Sequence, residues 1–233
     1  LDFEGRGCYF GTKALIGELE RFQPDLVHFH NLHGCYLHLP SLCDYLARKQ
    51  IPIVWTLHDC WPFTGHCAYF DYAHCEKWKT GCEHCPQQHS YPACVGIDRS
   101  RQNYEMKKRL FAALPHLTMV TPCEWMKIPL SQSFLADKPV RRIYNGVDLR
   151  TFYPRTGSLR EKYGLTGKKV ALAVASDWDE RKGLKYLLEA AREMSPEERV
   201  VAVGLTKEQI GTLPASVLGI KHTSSADELA QWY

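Results

Sequence analysis

A chain of 233 residues exceeds the usual single-domain size, and units of roughly 100 to 150 residues would divide it into two. Its 45% hydrophobic and 24% charged residues exclude the disordered class, and a net charge of +3 demands neither nucleic acid nor an anionic membrane as partner. The longest apolar runs, such as Val170 to Ala175, fall short of the ~20 residues a bilayer span needs, and no charged-then-apolar leader opens the chain.

In chain order, "TKALIGELERF" has helical spacing, and "PDLVHF" reads as a short buried strand opened by a proline. "HLPSLCDYLARKQ" predicts a helix with Pro40 in its first turn, followed by "IPIVWTL" as a strand rich in β-branched and aromatic residues. Residues 60–98 carry no clear period and many Cys, Gly, Pro and His, so they predict a long irregular insertion of functional interest. The alternation resumes with "RSRQNYEMKKRLFAAL" as helix, "HLTMV" as strand, "CEWMKIPLSQSFL" as a helix interrupted by Pro129, and "VRRIY" as strand. "NGVD" is a turn signal, and the Tyr144–Asp148 segment is the expected hinge between two lobes. Beyond a basic, broken stretch at 150–167, "KKVALAVAS" is the continuous apolar run of a parallel strand buried on both faces. "RKGLKYLLEAAREM" is a helix, and "ERVVAVG", "TKEQIGTL", "VLGIKH" and "SSADELAQWY" give strand, helix, strand, helix, with Ser225 and Glu228 as a capping box. Alternating strands and helices in both halves imply parallel sheets covered on both faces.

Ligands settle outside the carboxyl ends of such strands, so the loops after "VHFH", "VWTL", "MVT" and "VAS" are the candidate sites. After the last of these, Arg181, Lys182 and Gly183 lead into a helix. Two cations at a helix amino-terminus suit a diphosphate, while the competing reading pairs them with Asp177, Asp179 or Glu180 as a solvated turn. His58 and Asp59 stand just past a strand end, where a histidine can bond a sugar hydroxyl or bond only to backbone. His28 and His30 share one strand face, but no carboxylate completes a metal site beside them. Cys67, Cys75, Cys82 and Cys85, spaced C-x7-C-x6-C-x2-C, form a candidate structural zinc shell with His66, His74 and His84 as substitutes; disulfides or free thiols are the alternatives.

The segments "PDLVHFHNLHG", "VWTLHDCWPFTGHCAYFDYAHCEKWKTGCEHCP", "IYNGVDLRTF", "ASDWDERKGLKYLLEAA" and "SADELAQWY" together resemble the retaining glycosyltransferases of family 4, of the bacterial capsule, lipopolysaccharide and exopolysaccharide type. The resemblance implies a GT-B fold of two Rossmann-like lobes: residues 1–145 as part of an acceptor lobe with the Cys-rich insertion 60–98, and residues 146–233 as part of a nucleotide-sugar lobe. It implies transfer of a sugar from a UDP- or GDP-linked donor to a hydroxyl of a glycan or lipid-linked acceptor, with no metal in the chemistry. Arg181, Lys182 and Gly183 would bind the diphosphate, His58 would orient the transferred sugar, and Asn145, Gly146 and Asp148 would form the interdomain joint. A cytoplasmic protein is expected, with peripheral contact at the inner face of the membrane and no nucleic-acid partner.

Two departures stand out. Asp177 aligns with the family's usual arginine before the Lys-Gly pair, leaving Arg181 to supply the second cation. The glycine-rich first loop and the two donor-binding glutamates of the family are missing, so a fragment with little turnover of its own is expected. A GT-B-like nucleotide-sugar hydrolase or epimerase, and a zinc-pinned nucleic-acid binder using Trp78, Lys77 and Lys79, are the rival readings.

Overall fold

A computed structural model describes residues 5–155 and 157–233. The chain divides into two compact units, Leu1–Asn145 and Gly146–Tyr233.

The first unit is built on four parallel strands, β1 (Val27–Phe29), β2 (Ile53–Thr56), β3 (Leu117–Thr121) and β4 (Val140–Arg142), in the order β1-β2-β3-β4. Its helices are α1 (Tyr9–Phe22), α2 (Leu39–Lys49), α3 (Ser100–Ala112) and α4 (Glu124–Ser131). Helix α2 shows how local signals and packing agree. The His38 ring accepts from the Ser41 N–H at 3.3 Å, Pro40 occupies a first-turn position that needs no N–H, and Gln50 closes the end in the left-handed conformation. Leu39, Leu42, Cys43 and Leu46 then fall on one face and are buried, each leucine contributing about 1.5 to 3 kcal/mol by leaving water.

The insertion is irregular, as its lack of period predicts, with short 3₁₀ turns at Trp61–Phe63 and Lys77–Lys79. Its first part, residues 60–70, is buried and does not lie on the surface as a loop, whereas most of 71–98 is exposed. Trp61, Phe63, Cys67, Ala68, Phe70 and Trp78 are buried in the same hydrophobic cluster as Trp55, Phe111 and Met119. Aromatic contacts organise it, with Phe70 and Trp78 4.6 Å apart and Phe63 and Trp78 5.4 Å apart between ring centroids. An irregular chain with that much apolar surface can be buried only if its polar groups find partners, and several do. The Thr64 hydroxyl donates to the Cys67 carbonyl, and the Cys60 N–H donates to the Ala68 carbonyl.

The second unit has three parallel strands, β5 (Lys169–Val174), β6 (Glu198–Val203) and β7 (Val217–Ile220), in the order β5-β6-β7. Helices α5 (Leu159–Lys162), α6 (Leu184–Arg192), α7 (Lys207–Gly211) and α8 (Ala226–Trp232) accompany it. Alternate residues of β6 feed two cores. Val201 and Val203 pack with Leu159, Leu165, Ile220 and Trp232, while Val200 and Ala202 pack with Trp178, Ala191, Leu205 and Val217. The strand buried on both faces is therefore β6. The apolar run "KKVALAVAS" forms β5 at an edge of the described sheet, where Ala171 and Val174 are exposed, so the expectation that it lies buried on both faces is corrected. The last helix is also capped differently. Ser225 accepts from the Glu228 N–H, but the Glu228 carboxylate turns to Ser224, and the complete capping box is Thr206 with Gln209 at the start of α7.

Candidate functional site: two ligand edges and a cysteine-lined cavity

Each sheet presents loops at its carboxyl edge. In the first unit, His28 and His30 leave β1 on one face, as residues two apart on a strand must. His28 Nε2 lies 2.9 Å from Thr56 Oγ1, and His30 Nδ1 lies 2.9 Å from His58 Nε2. The three rings form a pile, His28 to His30 at 4.3 Å and His30 to His58 at 5.2 Å with 15° between planes. Burial, followed by the neighbouring His30 and His58, pushes the His28 pKa below the ordinary histidine value. Beneath the pile, His33 and Asp59 are buried and bonded to each other at 3.0 Å. Asp59 also accepts the Trp61 N–H at 3.0 Å, and the Tyr91 hydroxyl lies 3.3 Å from His33 Nδ1. The insertion thus contributes Tyr91 to a chain of polar groups that ends directly after His58.

At the second unit's edge, a pocket of about 580 Å³ is lined by Ala173, Val174, Ala175, Trp178, Arg181, Lys182, Gly183, Tyr186 and Leu187. The three residues singled out for diphosphate binding therefore line one cavity. Their backbone differs in detail from a helix start: Glu180–Lys182 is a 3₁₀ turn, and Gly183 is the N-cap of α6. Gly183 has φ +75°, a conformation that favours glycine, and a Cβ there would stand 3.1 Å from the exposed Tyr186 ring, which would have to shift by a few tenths of an ångström. Asp179 takes part of the local charge. Its Oδ1 accepts the Lys182 N–H at 2.9 Å, and its Oδ2 lies 3.4 Å from Arg181. The solvated-turn alternative holds for Arg181 to that extent, while Lys182 is exposed at the pocket. Two residues that local pattern did not single out shape the same edge. The Trp178 indole N–H donates to the Val203 carbonyl at 3.0 Å, and Gly204, with φ +96°, lies so close to the Ala175 carbonyl that no Cβ fits between them.

Asn145 and Gly146 are the residues at which the two units divide. Asp148 organises a turn in the second, accepting the Arg150 N–H at 3.0 Å and, through its carbonyl, the Phe152 N–H at 2.8 Å.

Cys67, Cys75, Cys82 and Cys85 line one small cavity with Thr64, His66, Phe70, Lys77 and Trp78. The spacing C-x7-C-x6-C-x2-C thus brings four thiols to one cavity. Among the described residues, no group of three or more His, Cys, Asp or Glu is arranged to hold a metal ion; of the "HFHNLHG" histidines, His28 bonds to Thr56, His30 to His58 and His33 to Asp59. A thiol hydrogen bond joins Cys67 to Cys85, lowering the Cys85 pKa and raising that of Cys67. Burial pushes Cys82 up to about 11, against the opposing pull of the Gly65 N–H, 3.1 Å from its sulfur, and of Lys107. All ten cysteines are free thiols.

The Glycosyltransferase Family 4 profile matches residues 4–151, more than half of the chain. A protein of Escherichia coli (strain K12), provisionally named colanic acid biosynthesis glycosyl transferase WcaC, is 36% identical over 135 residues, which is 55% of this chain and 32% of that protein. Among solved structures, sucrose-phosphate synthase from Thermosynechococcus elongatus superposes with a TM-score of 0.59 at 16% identity, over 95% of this chain and 51% of its own. Anabaena Alr3699/HepE, solved in complex with UDP-glucose, gives 0.56 at 15% identity, over 94% of this chain and 53% of its own. The chain thus spans about a third of its curated relative and about half of these solved chains. The parallel α/β units match the GT-B architecture of those neighbours, and the chain belongs to glycosyltransferase family 4.

Proposed function

We propose that this chain is the part of a retaining glycosyltransferase that holds a nucleotide diphosphate sugar in its second unit and a hydroxyl acceptor in its first. The observation that carries the reading is the pocket at the carboxyl end of β5, where Arg181, Lys182 and Gly183 converge ahead of α6. As the glycosidic bond breaks, negative charge gathers on the leaving diphosphate, and fixed cations beside a helix amino-terminus stabilise it before any reorganisation is needed. HepE, bound to UDP-glucose, and the E. coli trehalose-6-phosphate structure, bound to UDP-2-fluoro glucose, support a sugar nucleotide as the ligand, with UDP or GDP as its base-bearing half. His58 faces the transferred sugar and supplies orientation and polar support. Asn145, Gly146 and Asp148 form the joint between the lobes.

The relative WcaC supports a place in exopolysaccharide assembly, with a glycan or lipid-linked sugar as acceptor. Among the described residues no helix is long and apolar enough to cross a membrane, and the reading places the protein in the cytoplasm with peripheral contact at the inner membrane face. The four cysteines of the small cavity have the donor set of a structural zinc ion, which would pin the insertion and take no part in the chemistry. Elemental analysis of the full-length protein is expected to find about one zinc per chain; a folded, metal-free protein would leave the thiols as packing residues.

The direct test of the donor site is calorimetry of UDP and GDP on full-length protein. Lys182→Ala is expected to weaken binding of the preferred nucleotide by ~1.5 to 3 kcal/mol, the scale of a lost charged hydrogen bond. An unchanged affinity would move the donor site elsewhere.

A further inference from the structure

His58 is an exposed histidine at a loop start, and left alone such a ring samples rotamers and both tautomers. Here it is held. His30 Nδ1 lies 2.9 Å from His58 Nε2, and the two rings stack at 5.2 Å with their planes 15° apart. A chain of further contacts fixes His30 in turn. Its carbonyl accepts the Trp55 indole N–H at 2.7 Å, and its ring rests on His28 at 4.3 Å, which is itself tied to Thr56 Oγ1 at 2.9 Å. Trp55 has 0% exposure, so this support reaches down into the core of the first unit.

Asp59, the sequence neighbour, is the obvious candidate to orient His58, and the geometry rules it out. One of its carboxylate oxygens is bonded to His33 and the other accepts the Trp61 N–H. The other titratable groups of this crevice, His33 and Asp59, thus pair with each other, which leaves His30 as the partner of the His58 ring.

We propose that His30 is a positioning residue for His58, holding the ring through Nε2 so that Nδ1 is the atom presented to a ligand. A hydrogen bond between two imidazole nitrogens carries a single proton. When His58 donates it, His58 Nδ1 is an acceptor for a sugar hydroxyl; when His30 donates it, His58 Nδ1 carries the proton and is a donor. The tautomer of His30 therefore sets the polarity of the atom facing the ligand. That last step rests on the reading of His58 as the residue facing the transferred sugar, whereas the pairing of the rings does not.

The test is nitrogen-15 NMR of the histidine rings in the full-length protein, for wild type, His30→Ala and His30→Gln. The inference expects His58 in wild type to show Nε2 in a hydrogen bond. His30→Ala should return His58 to averaged tautomers with Nε2 released from that bond, and His30→Gln, which can still bond to Nε2, should restore most of the wild-type pattern. Identical His58 signals in wild type and His30→Ala overturn the proposal. A ligand readout separates the two layers: with UDP and UDP-glucose as probes, His30→Ala should lower UDP-glucose affinity, by about 2- to 10-fold for one weakened hydrogen bond, and leave UDP affinity unchanged. If neither nucleotide binds the wild type, the donor reading fails, and the NMR result still decides the pairing.

Discussion

The two ligand edges are made of different material. Around His58 the support is buried: Trp61 and Trp55 have 0% exposure, and His33 and Asp59 are paired out of water. Around Lys182 it is mostly exposed, with Asp177, Asp179, Glu180 and Lys185 all open to solvent and Arg181 paired to Asp179. Packing fixes geometry tightly and at low cost in entropy, whereas exposed charge gives attraction that solvent and salt weaken. On the proposed reading, the first suits an edge that orients a sugar and the second an edge that attracts a dianion. Substitutions at the edge of the first unit should therefore register in folding, and loss of the Lys182 charge in binding.

The largest effect is expected at Trp61, which packs 5.7 Å from His33 and carries the Lys107 ammonium 3.7 Å above its ring. Trp61→Ala should cost about 3 to 5 kcal/mol in denaturant unfolding, because the cavity is left beside a buried cation. A loss below about 1 kcal/mol would mean that the edge of the first unit is not built on its core. Asp59→Asn keeps the volume but removes the charge opposite His33, and it should cost about 1 to 3 kcal/mol in the same measurement. At the other edge, Gly183→Ala forces a Cβ into a left-handed residue and toward Tyr186, and should cost about 1 to 2 kcal/mol of stability. Lys182→Ala sharpens the contrast most: unfolding should stay within about 0.5 kcal/mol of wild type while nucleotide affinity falls and its salt dependence flattens. A destabilised Lys182→Ala protein would break the comparison.

The insertion adds a smaller, pH-dependent effect. Burial alone would raise the Asp98 carboxyl, but donation from the Ser100 N–H at 2.8 Å and from the Cys85 N–H at 2.9 Å outweighs it and holds the pKa below the usual carboxylate range. The folded value lies under the unfolded one, so this stabilisation is present above about pH 4 and is lost as pH falls through the folded value. Asp98→Asn should flatten the acid limb of a stability–pH curve, and an unchanged limb would show the carboxylate to be unimportant there.

Local pattern made the architecture legible: the helix over 39–49 with Pro40 and the 3.6-residue spacing of its leucines needed nothing from the rest of the chain. It failed where burial depends on sheet order. "KKVALAVAS" and "ERVVAV" are both apolar, and only the order β5-β6-β7 makes the second the doubly covered strand. That Arg181, Lys182 and Gly183 line one pocket was legible because they are adjacent in one turn after a strand end. The His33–Asp59 pair and the His30–His58 contact were not, since each joins residues more than twenty positions apart across two strand ends. Two stretches carry the capping-box pattern, and only Thr206 with Gln209 completes it, because the Glu228 carboxylate bonds to Ser224. The cysteines show the limit of spacing alone: it brought four thiols to one cavity without specifying their orientation.

The central claim is that the turn before α6 is the cradle of a pyrophosphate. A crystal structure of the full-length protein with UDP bound tests it most directly. The account predicts diphosphate oxygens within hydrogen-bonding distance of the Lys182 side chain and the first backbone N–H groups of α6, with Gly183 against the phosphate. A nucleotide seated at any other place, with that turn still closed on Asp179, would contradict it.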